Sequence, residues 1–121
     1  MPTPLPEITI YHNPRCGKSR AALQILEASG LAFNTRLYLA DPLTKAELKV
    51  LLKKLGIKAA ELVRTNEEIY KQHYKGKDFS EAEWITILSD NPILIERPIV
   101  ERGNKAVIGR PPENVTQLLA I

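Results

Sequence analysis

The stretch Ile8-Thr9-Ile10-Tyr11-His12-Asn13-Pro14-Arg15-Cys16-Gly17-Lys18-Ser19-Arg20 runs from an apolar segment into a polar turn that carries the only cysteine of the chain. Its first part, residues 7–11, predicts a β-strand. Residues 15–29 predict a helix that stops at Gly30 and has a broad apolar face, formed by Ala21, Ala22, Leu23, Ile25, Leu26 and Ala28. Residues 34–39 predict a second strand. A strand, a helix and a strand within about 33 residues form a βαβ unit, so the two strands are expected to be parallel.

The next part of the chain, from about residue 44 to 95, is predicted to be a helical insertion. A capping box at Thr44–Glu47 precedes four leucines at the spacing of one helix face: Leu48, Leu51, Leu52 and Leu55. Residues 58–64 predict a short helix. Two further caps, at Thr65–Glu68 and Ser80–Glu83, predict two more helices, the second of which turns three apolar side chains inward: Trp84, Ile87 and Leu88.

The C-terminal part of the chain predicts a hairpin followed by a helix. Two strand-like segments, 98–102 and 105–109, flank Gly103-Asn104, a pair typical of a two-residue turn. Pro111-Pro112 starts a helix whose apolar residues are Val115, Leu118 and Leu119. The order βαβ, insertion, ββα predicts an α/β fold with a mixed sheet of the thioredoxin/glutaredoxin type. Such folds commonly carry a cis-proline that faces the active cysteine, and Pro98, after Arg97, is the candidate.

Length and composition predict one globular domain over residues 1–121, with residues 1–6 as an extended lead-in. The chain is 44% hydrophobic and 26% charged, and no stretch approaches the ~20 apolar residues of a membrane span. The N-terminus lacks the features of a secretory signal, which together with the single cysteine favours a reducing cytoplasm. The net charge of +3 weakly favours an anionic partner, and no nucleic-acid-binding motif is present.

The cysteine is the candidate nucleophile. Cys16 is predicted at the start of a helix and has Arg15 and Lys18 beside it and Arg20 four residues on. A helix N-terminus and nearby positive charge both lower the pKa of a thiol. The alternative, a buried structural cysteine that acts as a small hydrophobe, fits poorly with the polar residues that follow it.

The histidine four residues before the cysteine has three possible roles. As an imidazolium, His12 can stabilise the Cys16 thiolate; alternatively it hydrogen-bonds and shapes the loop, or it is a solvated residue at the end of a strand. A metal site is not expected, because zinc takes three or four protein ligands and the only other histidine is His73, in a polar stretch. Ser19 and Arg20, in the turn after the cysteine, are predicted to support the site.

Three arginines lie at structural breakpoints that the predicted fold can bring to the cysteine loop. Arg64 follows a short predicted helix, Arg97 precedes the candidate cis-proline, and Arg110 follows the last predicted strand. The planar guanidinium group presents N–H donors that match the oxygens of a tetrahedral oxyanion. Taken alone, each of the three arginines is most simply a surface charge. Together they predict an oxyanion site beside a nucleophilic thiolate.

A thiolate beside an oxyanion site attacks the central atom of the anion. Phosphate leads to hydrolysis, whereas arsenate leads to an adduct that a second thiol can reduce. The loop of low-molecular-weight phosphatases requires an arginine six residues after the cysteine, and here that position is Ala22. Because the chain has no second cysteine, a resolving thiol must come from outside. The sequence therefore favours arsenate.

The chain resembles a known family, the glutaredoxin-coupled arsenate reductases. Their signature of a histidine, three residues, a cysteine, three residues and an arginine is met here by His12, Cys16 and Arg20. The similarity runs from about Glu7 to the C-terminus and includes three further segments: Asp90-Asn91-Pro92, Arg97-Pro98-Ile99-Val100 and Gly109-Arg110-Pro111-Pro112-Glu113.

The resemblance implies that Cys16 attacks arsenate and that His12 lowers the pKa of its thiol. It implies that Arg64, Arg97 and Arg110 bind the oxyanion and then the arsenite adduct. It also implies that glutathione, as co-substrate, attacks the Cys16-bound arsenic and that glutaredoxin completes the reduction, with no bound cofactor.

Two alternatives stay open at this point. The first is a glutathione-dependent thiol-disulfide reductase on the same fold, which needs no oxyanion. The second is a non-catalytic regulator that binds RNA polymerase. Related regulators commonly carry a Cys-x-x-Cys switch, and here the second position of that switch is Ser19.

Overall fold

The computed structural model describes residues 7–120, so the predicted lead-in over residues 1–6 lies outside the described part. The described residues form two compact units. The first unit is made of residues 7–37 and 97–120, and the second unit is Tyr38–Glu96. The division falls close to the predicted insertion of 44–95, while the prediction of a single domain stays a prediction.

The first unit is built on a four-stranded mixed sheet. Its strands are β1 (Ile8–Tyr11), β2 (Asn34–Arg36), β3 (Ile99–Arg102) and β4 (Lys105–Ile108), in the order β2-β1-β3-β4. β1 pairs with β2 in parallel and with β3 antiparallel, and β3 pairs with β4 antiparallel. The predicted fold class is therefore confirmed. Strand β2 is three residues long instead of the six predicted.

Two helices pack with this sheet: α1 (Gly17–Ser29) and α5 (Glu113–Leu119). Their common core consists of Ile8, Ile10, Ala22, Leu26, Val100, Val115 and Leu118. Only part of the predicted apolar face of α1 is buried. The helix residues that are fully covered are Ser19, Ala22 and Leu26, whereas Ala28 is exposed.

Strand register brings three distant segments to one edge of the sheet. Tyr11, the last residue of β1, lies opposite Ile99, the first residue of β3, and Ile99 lies opposite Ile108, the last residue of β4. The chain therefore leaves β1, enters β3 and leaves β4 at the same edge. The cysteine loop, the Arg97–Pro98 pair and the Gly109–Arg110 pair are the segments that continue from these three points.

The second unit is helical. It contains α2 (Lys45–Leu55), α3 (Glu68–His73) and α4 (Glu81–Asp90), with 3-10 turns at Ala59–Leu62 and Pro92–Leu94. Its buried apolar residues include Leu48, Leu51, Leu52, Leu62, Trp84, Ile85, Leu88 and Leu94. No helix among residues 7–120 has the length and apolar character needed to cross a membrane.

Two of the three helix caps that the sequence predicts in this unit are confirmed. Thr44 and Ser80 each form a complete capping box, with the side chain accepting from the amide of Glu47 and Glu83 respectively. The cap predicted at Thr65 is wrong, because α3 begins after Glu67, whose side chain makes no capping hydrogen bond. The helix predicted over 58–64 is a single 3-10 turn.

Candidate active site

Cys16 is the N-cap residue of α1, and the turn before it fixes its position. The Cys16 amide donates to the carbonyl of Asn13 at 3.0 Å, and the Asn13 side chain accepts from the Arg15 amide at 3.0 Å. Only 8% of Cys16 is exposed, although Arg15 and Lys18 on either side are exposed. The sulfur is therefore more shielded than its polar sequence neighbours suggest.

The environment of the sulfur favours the thiolate. Burial raises the pKa of the Cys16 thiol, since it removes water from the charged form. Against this, the Ser19 amide, the Arg97 side chain and the Lys18 amide donate hydrogen bonds to the sulfur, and the Arg97 charge adds to their effect. Together these interactions outweigh burial, so the pKa lies below the ordinary value of 9.0. The nucleophile is thus ionised more readily than a free cysteine.

His12 is buried and acts on the loop through hydrogen bonds. Burial and then the charge of Arg20 lower the pKa of His12 from its ordinary value of 6.5, so the ring is neutral at pH 7. Of the roles considered from the sequence, this favours the one in which the ring shapes the loop over the one in which an imidazolium stabilises the thiolate. His12 is only 6% exposed, so it is not a solvated residue at a strand end.

Ser19 connects the end of β1 to the start of α1. Its fully buried hydroxyl accepts from the Asn13 amide at 3.0 Å and lies 2.7 Å from His12 Nδ1. A hydroxyl that accepts one N–H still has its own proton to donate, and the neutral imidazole has one acceptor nitrogen. The arrangement is satisfied when Ser19 donates to His12 Nδ1, which leaves the ring proton on Nε2.

The Arg97–Pro98 and Gly109–Arg110 segments hold each other in place. Arg110 Nε donates to the carbonyl oxygen of Arg97 at 2.6 Å, and the Gly109 amide donates to the carbonyl of Pro98 at 2.8 Å. The Arg97–Pro98 bond, the candidate from the sequence, is cis, and Arg110–Pro111 is also cis. Since Arg97 reaches the Cys16 sulfur, Arg110 is connected to the nucleophile through one intervening residue.

Gly109 leaves no room for a side chain. A Cβ built on it would lie 2.9 Å from Cγ of Pro98 and 3.1 Å from Cγ2 of Val115. The first of these distances is shorter than real Cβ contacts allow, and its partner is a rigid ring. Glycine therefore permits the close approach that brings Arg110 to Arg97.

Arg64 belongs to the helical unit. Its amide donates to the carbonyl of Leu94 at 2.7 Å, beside an isolated bridge between Val63 and Ile95. Its Nε lies 3.5 Å from a carboxylate oxygen of Glu67. Its Nη1 is buried and has no hydrogen-bond partner among residues 7–120.

The structure connects seven of the eight site residues predicted from the sequence by direct interactions within the first unit: Cys16, His12, Ser19, Arg20, Arg97, Pro98 and Arg110. The eighth, Arg64, is held within the second unit. Sequence reasoning missed Asn13 and Gly109. Asparagine before proline is a known turn signal that points to the first, whereas the second depends on packing that a single sequence does not display.

A thiolate held beside a guanidinium is equipped for attack on an anion. The guanidinium attracts and orients an oxyanion, and the thiolate is the nucleophile. Among residues 7–120, no three histidine, cysteine, aspartate or glutamate side chains are grouped so that they could hold a metal ion.

Comparison with known proteins identifies the family. An arsenate reductase of Haemophilus influenzae is 45% identical over 114 residues, covering 93% of this chain and 98% of the relative. An uncharacterized Escherichia coli K12 protein, YfgD, is 45% identical over 115 residues, covering 93% and 97%. The solved structure of an arsenate reductase from Vibrio cholerae matches with a TM-score of 0.88 at 38% identity, covering 94% of this chain and 98% of that one.

The family resemblance seen in the sequence is thereby confirmed. A family model described as the ArsC family matches residues 11–118, a segment that contains His12, Cys16, Arg97 and Arg110. The chain belongs to the ArsC family.

Proposed function

We propose that this chain is an oxidoreductase that reduces arsenate to arsenite, with Cys16 as the nucleophile. The observation that carries the proposal is the Arg97 side chain hydrogen-bonded to the Cys16 sulfur, whose pKa lies below the ordinary value. Membership of the ArsC family and close relatives named arsenate reductase support the choice of anion. The electrons come from thiols, so the reaction needs no bound cofactor.

In the first step the Cys16 thiolate attacks arsenic(V). A sulfur–arsenic bond forms and one arsenate oxygen leaves as water after taking up protons. Arg97 and Arg110 bind the remaining oxygens. A guanidinium–oxyanion hydrogen bond is worth ~1.5–3 kcal/mol. His12 keeps the loop in shape through Ser19, so that amides continue to face the sulfur.

Reduction follows when outside thiols supply two electrons, because the chain has a single cysteine. The thiol of glutathione attacks the Cys16-bound arsenic and displaces a second oxygen as water. A glutaredoxin thiolate then attacks the glutathione sulfur, the sulfur–arsenic bond breaks, and its electron pair reduces arsenic(V) to arsenic(III). Water hydrolyses the remaining Cys16–arsenic bond, which releases arsenite and the thiol. In sum, one arsenate and two thiols give one arsenite, one disulfide and one water.

These co-substrates also suggest where the protein works. Glutathione and glutaredoxin operate in reducing compartments, and a lone thiol persists there without oxidation. We therefore place the reaction in the cytoplasm.

The direct test is formation of arsenite from arsenate in the presence of glutathione, glutaredoxin and NADPH-dependent glutathione reductase. Arsenite is measured directly by chromatography with mass detection. The Cys16→Ser variant is expected to lose all turnover, because a serine hydroxyl stays protonated at neutral pH and is a much weaker nucleophile than a thiolate. Appreciable arsenite production by that variant contradicts the proposal.

A second arm separates arsenate reduction from general thiol-disulfide exchange. Arg110→Gln is expected to reduce arsenate turnover by one to two orders of magnitude while exchange with a small neutral disulfide changes little, because only the first reaction needs an oxyanion site. Arg102→Gln is a matched control, since Arg102 hydrogen-bonds to the end of α5 at the opposite end of β3. If arsenate turnover is unchanged in Arg110→Gln, the oxyanion site is not where we place it.

A further inference from the structure

The proposed function requires an organic thiol to reach the Cys16 adduct, and the surface beside Cys16 carries charges that the oxyanion site does not use. Arg15 and Lys18 are both exposed, while the cysteine between them is 8% exposed. Neither side chain forms an ion pair or hydrogen bond with another of residues 7–120. The two cations are therefore close to Cys16 in the chain, and their charges are available to a ligand.

Hydrogen bonds in the cysteine loop hold the backbone from which these two side chains extend. The Asn13 side chain holds the Arg15 amide, and the Lys18 amide donates to the Cys16 sulfur. The backbone from which each cation extends is thus tied to the same loop that carries the nucleophile.

We propose that Arg15 and Lys18 form the recognition surface for a small thiol that carries carboxylates. The inference rests on the proposed function, in which this thiol is glutathione. Glutathione has two carboxylates and one ammonium group, so it carries a net negative charge that increases when the thiol ionises. Arg97 binds close to the sulfur and serves the inorganic anion, whereas the outer pair serves the organic co-substrate.

Charge complementarity of this kind acts mainly on encounter and orientation. Opposite charges near a reacting centre raise the local concentration of the ligand, and the effect weakens as salt screens it. Exposed ion pairs are individually weak, which corresponds to about a two- to five-fold effect for each charge removed. Removing both is expected to have about a tenfold effect, provided that the two act independently.

The test uses thiol-disulfide exchange, which does not depend on arsenate. The Cys16 thiolate attacks glutathione disulfide, so that a Cys16–glutathione disulfide forms and a glutathione thiolate leaves. The same reaction is run with bis(2-hydroxyethyl) disulfide, which is neutral. The second-order rate constants are measured by intact-protein mass spectrometry, and their ratio is the preference for the charged ligand. A change in the thiol pKa affects both rate constants and cancels in the ratio.

The Arg15→Gln/Lys18→Gln variant is expected to lower this ratio about tenfold. Raising the salt concentration is expected to lower the wild-type ratio and to leave the variant's ratio nearly unchanged. The matched control is Lys105→Gln. Lys105 is exposed in the same unit and pairs with Arg102, at the end of β3 opposite to Ile99 and the cysteine loop.

Two results overturn the inference: a double variant with the wild-type ratio, or an equal fall in the Lys105→Gln control, which indicates a general effect of net charge. Arsenite formation by the same preparations is measured separately. If wild type makes no arsenite but the ratio falls as expected, the proposed function fails while recognition of the charged thiol stands. Thermal melts of both variants check that exposed substitutions have left the fold intact.

Discussion

The Gly109→Ala substitution adds one methyl group at the tightest point of the site. Gly109 does not have a positive φ, so alanine can adopt its backbone conformation and the effect is one of packing alone. The added carbon would lie 2.9 Å from the ring of Pro98 and 3.1 Å from Cγ2 of Val115, and the proline ring cannot rotate away as a flexible side chain does. Over-packing of this kind costs typically about 1–3 kcal/mol of unfolding free energy.

For a chain of this size, each kcal/mol lowers the melting temperature by about 3–6 °C. Differential scanning calorimetry and urea unfolding measure the loss. The displaced proline also moves the Arg97 carbonyl that accepts from Arg110, so turnover is expected to fall along with stability. Gly17→Ala is the matched control, because its new carbon would meet only the end of Arg20 at 3.8 Å. In the first turn of α1, alanine is expected to stabilise the protein by about 0.5–1 kcal/mol. A Gly109→Ala variant as stable as wild type refutes the packing argument.

Three further predictions concern the ionisation and support of the nucleophile. Arg97→Gln removes a hydrogen bond and a positive charge from the sulfur, which raises the pKa of the Cys16 thiol; the iodoacetamide alkylation profile is expected to move to higher pH, and an unmoved profile contradicts the assignment. Arg20→Gln removes a charge that lowers the pKa of His12, so the imidazole is expected to titrate at higher pH by NMR than in wild type, and an unchanged titration speaks against this electrostatic effect. Ser19→Ala leaves His12 Nδ1 and the Asn13 amide without their hydrogen-bond partner. The unfolding free energy measured in urea is expected to fall by about 1–3 kcal/mol, while a loss below about 0.5 kcal/mol argues against these two hydrogen bonds.

A control for the serine substitution exists on the same helix. Ser29→Ala removes a hydroxyl that donates to the carbonyl of Leu26 near the exposed end of α1. Because water can replace it there, the expected loss is below about 1 kcal/mol. The difference between the two serines measures what burial adds.

Sequence patterns pointed to residues that the structure brings together, because the patterns record chemistry and chain order. His12, Cys16 and Arg20 lie in one continuous stretch, and the ββα segment placed Arg97-Pro98 and Arg110 next to predicted strands. Strand register then determines that these segments meet at one edge, which follows from the fold without knowledge of side-chain contacts.

The sequence patterns did not predict features that depend on the packing of the folded protein, such as a buried polar residue or a required glycine. Periodicity counts apolar residues, so it did not indicate that Ser19 occupies a buried position of α1, where its hydroxyl is fully hydrogen-bonded. It also did not show that β2 ends after Arg36, since Leu37 is apolar yet 47% exposed. The requirement for Gly109 arises from two neighbours that belong to different elements, and no local pattern encodes it.

Cys16 and Arg97 interact in the folded protein but are synthesised at different times. The cysteine leaves the ribosome about 80 residues before the arginine whose charge it needs. A nascent or truncated chain that ends before Arg97 therefore carries a sulfur without this donor, which ionises less readily than in the finished protein. Electrophiles that modify thiolates should react faster with the completed molecule than with such fragments, so reactivity at this one atom reports that synthesis and folding have reached the C-terminal hairpin.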